Sequence, residues 1–187
     1  MTDDRNEPVV ALATLENDGD PDLRTFWVQL SERYGIVPSL LRVVANSPTT
    51  LQAWVSFVGA LREESGGSTG RLQEMVIMRA SAQSANTYEF ERHSRSALSQ
   101  DLCTAEEIAR LRGELILSEW DPLEAALLRA TDHVVAGDRL QGPDLDDLKG
   151  QLTSDALVRF VLLAAFYVAI DRVVKSLDVQ LQHDAMP

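Results

Sequence analysis

The 187-residue chain is poor in the residues that several large classes of function require. It has one cysteine, Cys103, so it can hold no internal disulfide, no four-thiolate zinc site and no dithiol redox pair of its own. A lone thiol fits a reducing compartment. Positive charge is scarce: 17 Lys and Arg face 29 Asp and Glu, a formal net charge of -12. That balance excludes a counterion-release grip on nucleic acid or on an anionic membrane. Apolar runs are short. The most apolar, residues 160–170 between Arg159 and Asp171, is about half of the roughly 20 residues a bilayer span needs and reads as a buried core helix. The opening residues carry Asp3, Asp4 and Glu7 where a secretory signal has a basic start and an apolar run, so a cytoplasmic location is expected.

Nowhere do β-branched residues alternate with polar ones over a strand's length, whereas helix punctuation recurs throughout. With 45% hydrophobic residues the chain can bury one core. The expected organisation is an acidic, flexible segment over 1–19 and a single all-α helical bundle over 20–187. Asp20 and Pro21 open a helix bearing Leu23, Phe26, Trp27 and Leu30 that Gly35 ends, Pro38 opens a short one through Val44, and Ser47 with Pro48 precedes the stripe Leu51, Trp54, Val55, Val58 and Leu61. The Gly- and Ser-rich stretch 65–70 reads as a surface connection or lid. Spacing then predicts helices over 72–82 and 87–98. Thr104 and Glu107 form a capping box with Cys103 and Ile108 as its hydrophobic staple. Asp121, Pro122 and Glu124 cap a helix that Gly137 ends, Pro143 starts a short acidic helix, and Thr153 caps a last one over about 155–181, apolar nearly all round its middle.

The densest group of chemically capable side chains is the run from Asn86 to His93. At about 100° per residue, Asn86, Glu89 and His93 share one helical face. A carboxylate beside an imidazole favours the imidazolium, and such a pair can hold or pass a proton near neutral pH. On the preceding helix Glu74 lies on the same stripe as Ile77, Met78 and Ser81, an acid on an apolar face that needs a partner if buried. Structural roles are open for each: Asn86 and Glu89 as a capping-box variant, His93 as a satisfied core or surface histidine, Glu74 tied to a backbone amide or to Arg79. A metal is not expected, because the di-iron Glu-x-x-His pattern and H-E-x-x-H are both absent.

RLQEMVIMRA followed by NTYEFERHSRSAL resembles the carboxymuconolactone decarboxylase and alkylhydroperoxidase D superfamily. GIVPSLLRVVANSPTTLQAWVSFVGALR, LCTAEEIARLR, EWDPLEAALLRATDHV and VLLAAFYVAIDRVVKSLDVQL extend the likeness over most of 35–181. The resemblance implies an all-α bundle of the alkylhydroperoxidase D-like type, assembled as a homo-trimer or homo-hexamer with its site near subunit contacts. In the peroxidase branch a glutamate precedes a helix that begins with C-x-x-C and carries a histidine four residues after the second cysteine. Glu74 matches that glutamate and His93 that histidine, while Asn86 and Glu89 occupy the cysteine positions and Tyr88 sits just before the second. Peroxide reduction there needs a thiolate and a resolving thiol, and Cys103 matches neither. The chain therefore resembles the branch without the cysteines, whose decarboxylase members act without metal or organic cofactor.

That resemblance implies a lyase or isomerase that moves a proton on a small carboxylated or lactone substrate. His93 is the expected proton donor, Glu89 the group that sets its charge and orientation, and Glu74 a second acid/base or orienting group. Asn86, Tyr88 and Arg79 are the expected substrate contacts, with Arg92 and Arg42 as further candidate cations, and the helix start offers N–H groups to a carboxylate or enolate. Were Glu74 and Glu89 close together, repulsion and burial would raise one carboxyl pKa and keep it protonated at neutral pH. The alternatives are an alkylhydroperoxidase-like redox protein and a non-catalytic binding or assembly protein on the same scaffold.

Overall fold

The computed structural model describes residues 9–13, 24, 25, 27, 28, 31, 32 and 37–180. Most of the acidic segment expected over 1–19, much of the helix expected after Asp20, and residue 181 lie outside them. The described residues contain no strand and eight α-helices: α1 Ser39–Val44, α2 Pro48–Leu61, α3 Gly70–Gln83, α4 Thr87–Ser99, α5 Ala105–Arg112, α6 Pro122–Ala136, α7 Pro143–Gln151 and α8 Ser154–Ser176. None is long and apolar enough to cross a membrane.

The chain divides into two compact units, residues 1–57 with 173–187 and residues 58–172. In the first, Trp27, Val37, Ala45 and Leu51 form a buried cluster with Ala13, Leu41, Val44 and Val55 against it. Arg42 Nε donates to the Ala13 carbonyl at 3.0 Å. The last helix stops at Ser176, short of the expected 181, because Asp178 adopts a left-handed φ of 48° and Val179 N–H closes back on the Val174 carbonyl at 2.9 Å.

In the second unit α3 is the central element: every residue from Leu72 to Ser81 is buried, and the helix packs on α4, α5 and α6. Local chemistry starts and stops these helices where the spacing predicts. Thr69 Oγ1 accepts from Leu72 N–H at the start of α3, and reciprocal capping boxes join Thr104 to Glu107 on α5 and Asp121 to Glu124 on α6. Each such cap is worth about 1 kcal/mol. Gly137 at φ 80° ends α6, and Thr153 Oγ1 accepts from Ala156 N–H at 3.2 Å to open α8. Arg71 links the two boxes, with Nη2 on Glu107 Oε1 at 2.7 Å and Nε on Glu124 Oε1 at 2.8 Å. One guanidinium thereby sets where α5 and α6 begin relative to α3. The connection expected over 65–70 is tied down rather than loose: Thr153 N–H donates to the Gly66 carbonyl at 3.0 Å and Arg159 Nη2 to the Ser65 carbonyl at 3.1 Å. Gly66 has φ +60°, and a Cβ there would lie 2.2 Å from Thr153 Oγ1, so only glycine fits.

Candidate active site

Glu74 sits mid-way along α3 with none of its surface exposed. A buried carboxylate needs compensating donors, and two arrive from neighbouring segments. Arg62, just past α2, donates Nη2 to Glu74 Oε1 at 2.5 Å, and His93 on α4 places Nδ1 2.6 Å from Oε2. Gln73 steadies the arrangement by donating Nε2 to the Arg62 carbonyl at 3.2 Å and to Ser68 Oγ at 2.9 Å.

The far ring nitrogen of His93 faces three groups. Tyr167 OH, from α8, lies 2.9 Å from Nε2, Arg92 Nη2 also 2.9 Å, and Glu89 Oε2 3.3 Å. The Tyr167 ring packs edge-on against the imidazole at 5.2 Å between centroids. Arginine has only N–H donors to offer, so at the Arg92 contact Nε2 presents its lone pair and Nδ1 carries the proton that Glu74 accepts. This is a carboxylate-oriented imidazole with a basic nitrogen turned to an acid and a cation. His93 is only 2% exposed, and Arg92, which contacts Nε2, has a side chain 30% exposed.

The start of α4 decides between the two readings of Asn86 and Glu89. Asn86 does cap: its Oδ1 accepts from Glu89 N–H at 3.1 Å. Glu89 does not complete a capping box, because the Asn86 N–H is already taken by the Ser81 carbonyl at 2.8 Å. Its carboxylate turns instead to Arg92 Nε and His93 Nε2, both at 3.3 Å. Glu89 Oε1, Asn86 Nδ2 and Ser81 Oγ, all buried, have no hydrogen-bond partner among the described residues.

Both acids are held ionised. Burial pushes the Glu74 carboxyl up, but the imidazole and Arg62 outweigh it and hold the carboxyl down at about 2. Burial likewise raises Glu89, and Arg92 with His93 overcomes it, leaving that carboxyl below its usual range. Each acid has its own guanidinium, Arg62 for Glu74 and Arg92 for Glu89, so neither is raised as two acids sharing one site would be. Burial followed by the Glu89 charge pushes the Tyr167 hydroxyl well above its ordinary value, so it remains a phenol and a donor.

The described residues hold no group of three or more His, Cys, Asp and Glu able to bind a metal ion. A model of the carboxymuconolactone decarboxylase family matches residues 48–133, the stretch that supplies Arg62, Glu74, Glu89, Arg92 and His93. An uncharacterized peroxidase-related protein from Silicibacter sp. TM1040 has a similar structure, with TM-score 0.79 and 16% identity over 96% of this chain and 94% of that one. That family model covers less than half of the chain, and the likeness in structure shows an all-α fold of the alkylhydroperoxidase D-like type.

Two further structures share the fold. A variant of the debrominase Bmp8 in complex with 2,3,4-tribromopyrrole matches with TM-score 0.77 and 13% identity, covering 95% of each chain. The alkylhydroperoxidase AhpD core of a peroxidase-related protein from Ralstonia eutropha JMP134 matches with TM-score 0.70 and 17% identity over 92% of this chain and 91% of that one. No curated protein sequence matches the chain.

The residues singled out in the sequence are distributed unevenly over this fold. Glu74, Glu89 and His93 meet, but Glu74 rather than Glu89 makes the close orienting contact. Asn86 adjoins them as the α4 cap, and Tyr88 is buried near enough to Arg92 to help, after Glu89 and Tyr167, offset the effect of burial on that guanidinium. Arg79 goes elsewhere: it grips Asp132 at 2.6 and 2.7 Å and the Leu111 and Gly113 carbonyls at 3.0 and 2.7 Å. Its donors are committed to joining α3 to α6 and to the end of α5. Arg42 belongs to the other unit. Arg62 and Tyr167 escaped sequence reasoning; the one signal for Tyr167 was a hydroxyl inside the apolar run 160–170. Cys103 is buried behind α5, its thiol pushed up to about 11 by burial against the opposing pull of Arg71.

A small cavity is lined by Leu127, Leu148 and Phe160, and an open groove of ≈ 460 Å³ lies between α4 and α5 over Phe90, Ile108 and Arg112. Neither is lined by His93.

Proposed function

We propose that this chain is a proton-transfer enzyme, a cofactor-independent lyase or isomerase acting on a small carboxylated or lactone substrate, with His93 Nε2 as the acid/base. The observation that carries the reading is the imidazole itself: Nδ1 anchored on a buried carboxylate, Nε2 turned to a phenol and a guanidinium. Glu89 supports it, because a glutamate serving only as a cap would have closed the box with Asn86 N–H.

In the isomerase form, Nε2 takes a proton from the carbon next to the substrate carbonyl and the electron pair moves onto the carbonyl oxygen. Arg92 and the Tyr167 hydroxyl are the donors for that oxygen, and Glu74 and Glu89 balance the imidazolium. The same proton then returns to the distal carbon of the dienolate. In the lyase form the carbon–carboxylate bond breaks first, carbon dioxide leaves, and a protonated His93 delivers its proton to the carbon left behind. Solvent then restores that proton. The thiol-based alternative has no comparable support, since Cys103 is a buried thiol in a chain with no second cysteine.

The reading includes assembly as a homo-trimer or homo-hexamer in the cytoplasm. It is supported by exposed apolar side chains on α8, Val158 at 56% and Leu162 at 42%.

The test is hydrogen exchange. Small unsaturated lactones and β-oxoacids are incubated with the protein in D2O, and deuterium entry next to the carbonyl is followed by NMR. His93→Asn keeps a donor for Glu74 but no base, and should slow exchange by about 100-fold or more while circular dichroism stays unchanged. Exchange within threefold of the parent in a folded variant would remove His93 from the mechanism.

A further inference from the structure

Three polar atoms at the end of α3 and the start of α4 stand out because nothing among the described residues satisfies them: Ser81 Oγ, Asn86 Nδ2 and Glu89 Oε1. Their residues are 0%, 3% and 0% exposed, so bulk solvent does not serve them. Buried polar groups in folded proteins are paired, since an unmade hydrogen bond leaves the desolvation penalty uncompensated.

The backbone makes these residues neighbours. Asn86 N–H donates to the Ser81 carbonyl at 2.8 Å, and Asn86 Oδ1 accepts from Glu89 N–H at 3.1 Å. The pairing of α3 with α4 agrees. Glu74, Met78 and Ser81 follow one another on the face of α3 that meets α4, where Glu74 touches His93 and Met78 Sδ receives Ser94 Oγ at 3.7 Å. Ser81 comes next along that face, at the turn into Asn86.

The three atoms have a definite complement. Asn86 Nδ2 can only donate, an ionised Glu89 can only accept, and Ser81 Oγ can do either. A group that satisfies them carries an acceptor and a proton to donate. A carboxylate has no such proton and would set its charge against Glu89 where little water screens it. The surrounding charges do not invite an anion, since Arg62 is engaged with Glu74 and Arg92 with Glu89.

We propose that Ser81, Asn86 and Glu89 form a seat for a neutral donor–acceptor head group of the substrate, a hydroxyl, an enol or a primary carboxamide, and that this seat rejects a carboxylate. The seat rests on the proton-transfer reading above, because it places the substrate one helical turn from His93. A substrate carboxylate, where there is one, is directed away from Glu89. Ser81 is thus a specificity-determining residue, and Glu89 reads the substrate with Oε1 while its Oε2 accepts from Arg92 Nε.

The experiment reads binding alone, so it can fail while the His93 exchange test succeeds, and the reverse. The full 15N-labelled chain is titrated at pH 7 with acetamide and, separately, with acetate, following the side-chain NH2 resonance of Asn86, assigned by its loss in Asn86→Asp. Acetamide should shift that resonance saturably at millimolar concentrations and acetate should not. Ser81→Ala should weaken acetamide about fivefold. Glu89→Gln replaces the charged acceptor by a neutral group that can also donate, and should let acetate bind. Equal binding of acetate and acetamide to the parent protein would overturn the proposal, as would an Asn86 resonance that neither compound moves.

Discussion

Replacing Glu74 by glutamine tests the central ion cluster most directly. The carboxylate is fully buried, accepts from Arg62 at 2.5 Å and contacts His93 Nδ1 at 2.6 Å. A carboxyl held at about 2 in the fold against 4.5 ordinarily corresponds to roughly 3 kcal/mol of stability at neutral pH. The direction with pH follows from the depressed value: the contribution is complete above 4.5 and is lost as the pH falls from there towards 2. Glu74→Gln keeps the shape and one acceptor but forfeits the charge. Arg62, with a side chain 25% exposed, can then turn to water, which puts the cost at the low end of the range of about 3–5 kcal/mol for breaking a buried pair. Urea unfolding at pH 7 should therefore show a loss of about 3 kcal/mol, and the gap between parent and variant should narrow by about 2 kcal/mol as the same titration is repeated down to pH 3. A gap under about 0.5 kcal/mol at pH 7, or one that does not change with acid, would mean that the cluster does not hold Glu74 ionised as described.

Tyr167→Phe removes one of the two donors facing His93 Nε2. It should cost about 1 kcal/mol in urea unfolding and displace the pH profile of kcat, whereas a Tyr167 that only fills space would leave that profile unmoved. Asn86→Ala loses a cap that accepts from Glu89 N–H, so thermal unfolding should report a loss of about 1 kcal/mol, and Asn86→Ser should recover most of it. Cys103, with its thiol at about 11, should label slowly with a disulfide reagent at pH 7 in the folded protein and quickly in urea. Cys103→Ala should leave deuterium exchange unchanged; thiol-dependent turnover would reinstate the redox reading.

Local sequence determined a good deal here, because the physics involved reaches only three or four residues. Thr104 with Glu107, Asp121 with Glu124, the stop at Gly137 and the shared face of Glu89 and His93 all follow from helix geometry acting on neighbours in the chain. The all-α class was legible for the same reason. What the spacing left open was where a side chain turns when two partners compete for it. Glu89 could cap or face the imidazole, and the choice fell to the Ser81 carbonyl, which took the Asn86 N–H, and to Arg92. Arg79 could have met a substrate, but Asp132, 53 residues further on, occupies it. Tyr167 reaches His93 across 74 residues, and the ionisation of both acids depends on guanidiniums whose positions only packing supplies. Charge states and long-range hydrogen bonds are properties of the space around a group, and that space exists only once the helices have come together.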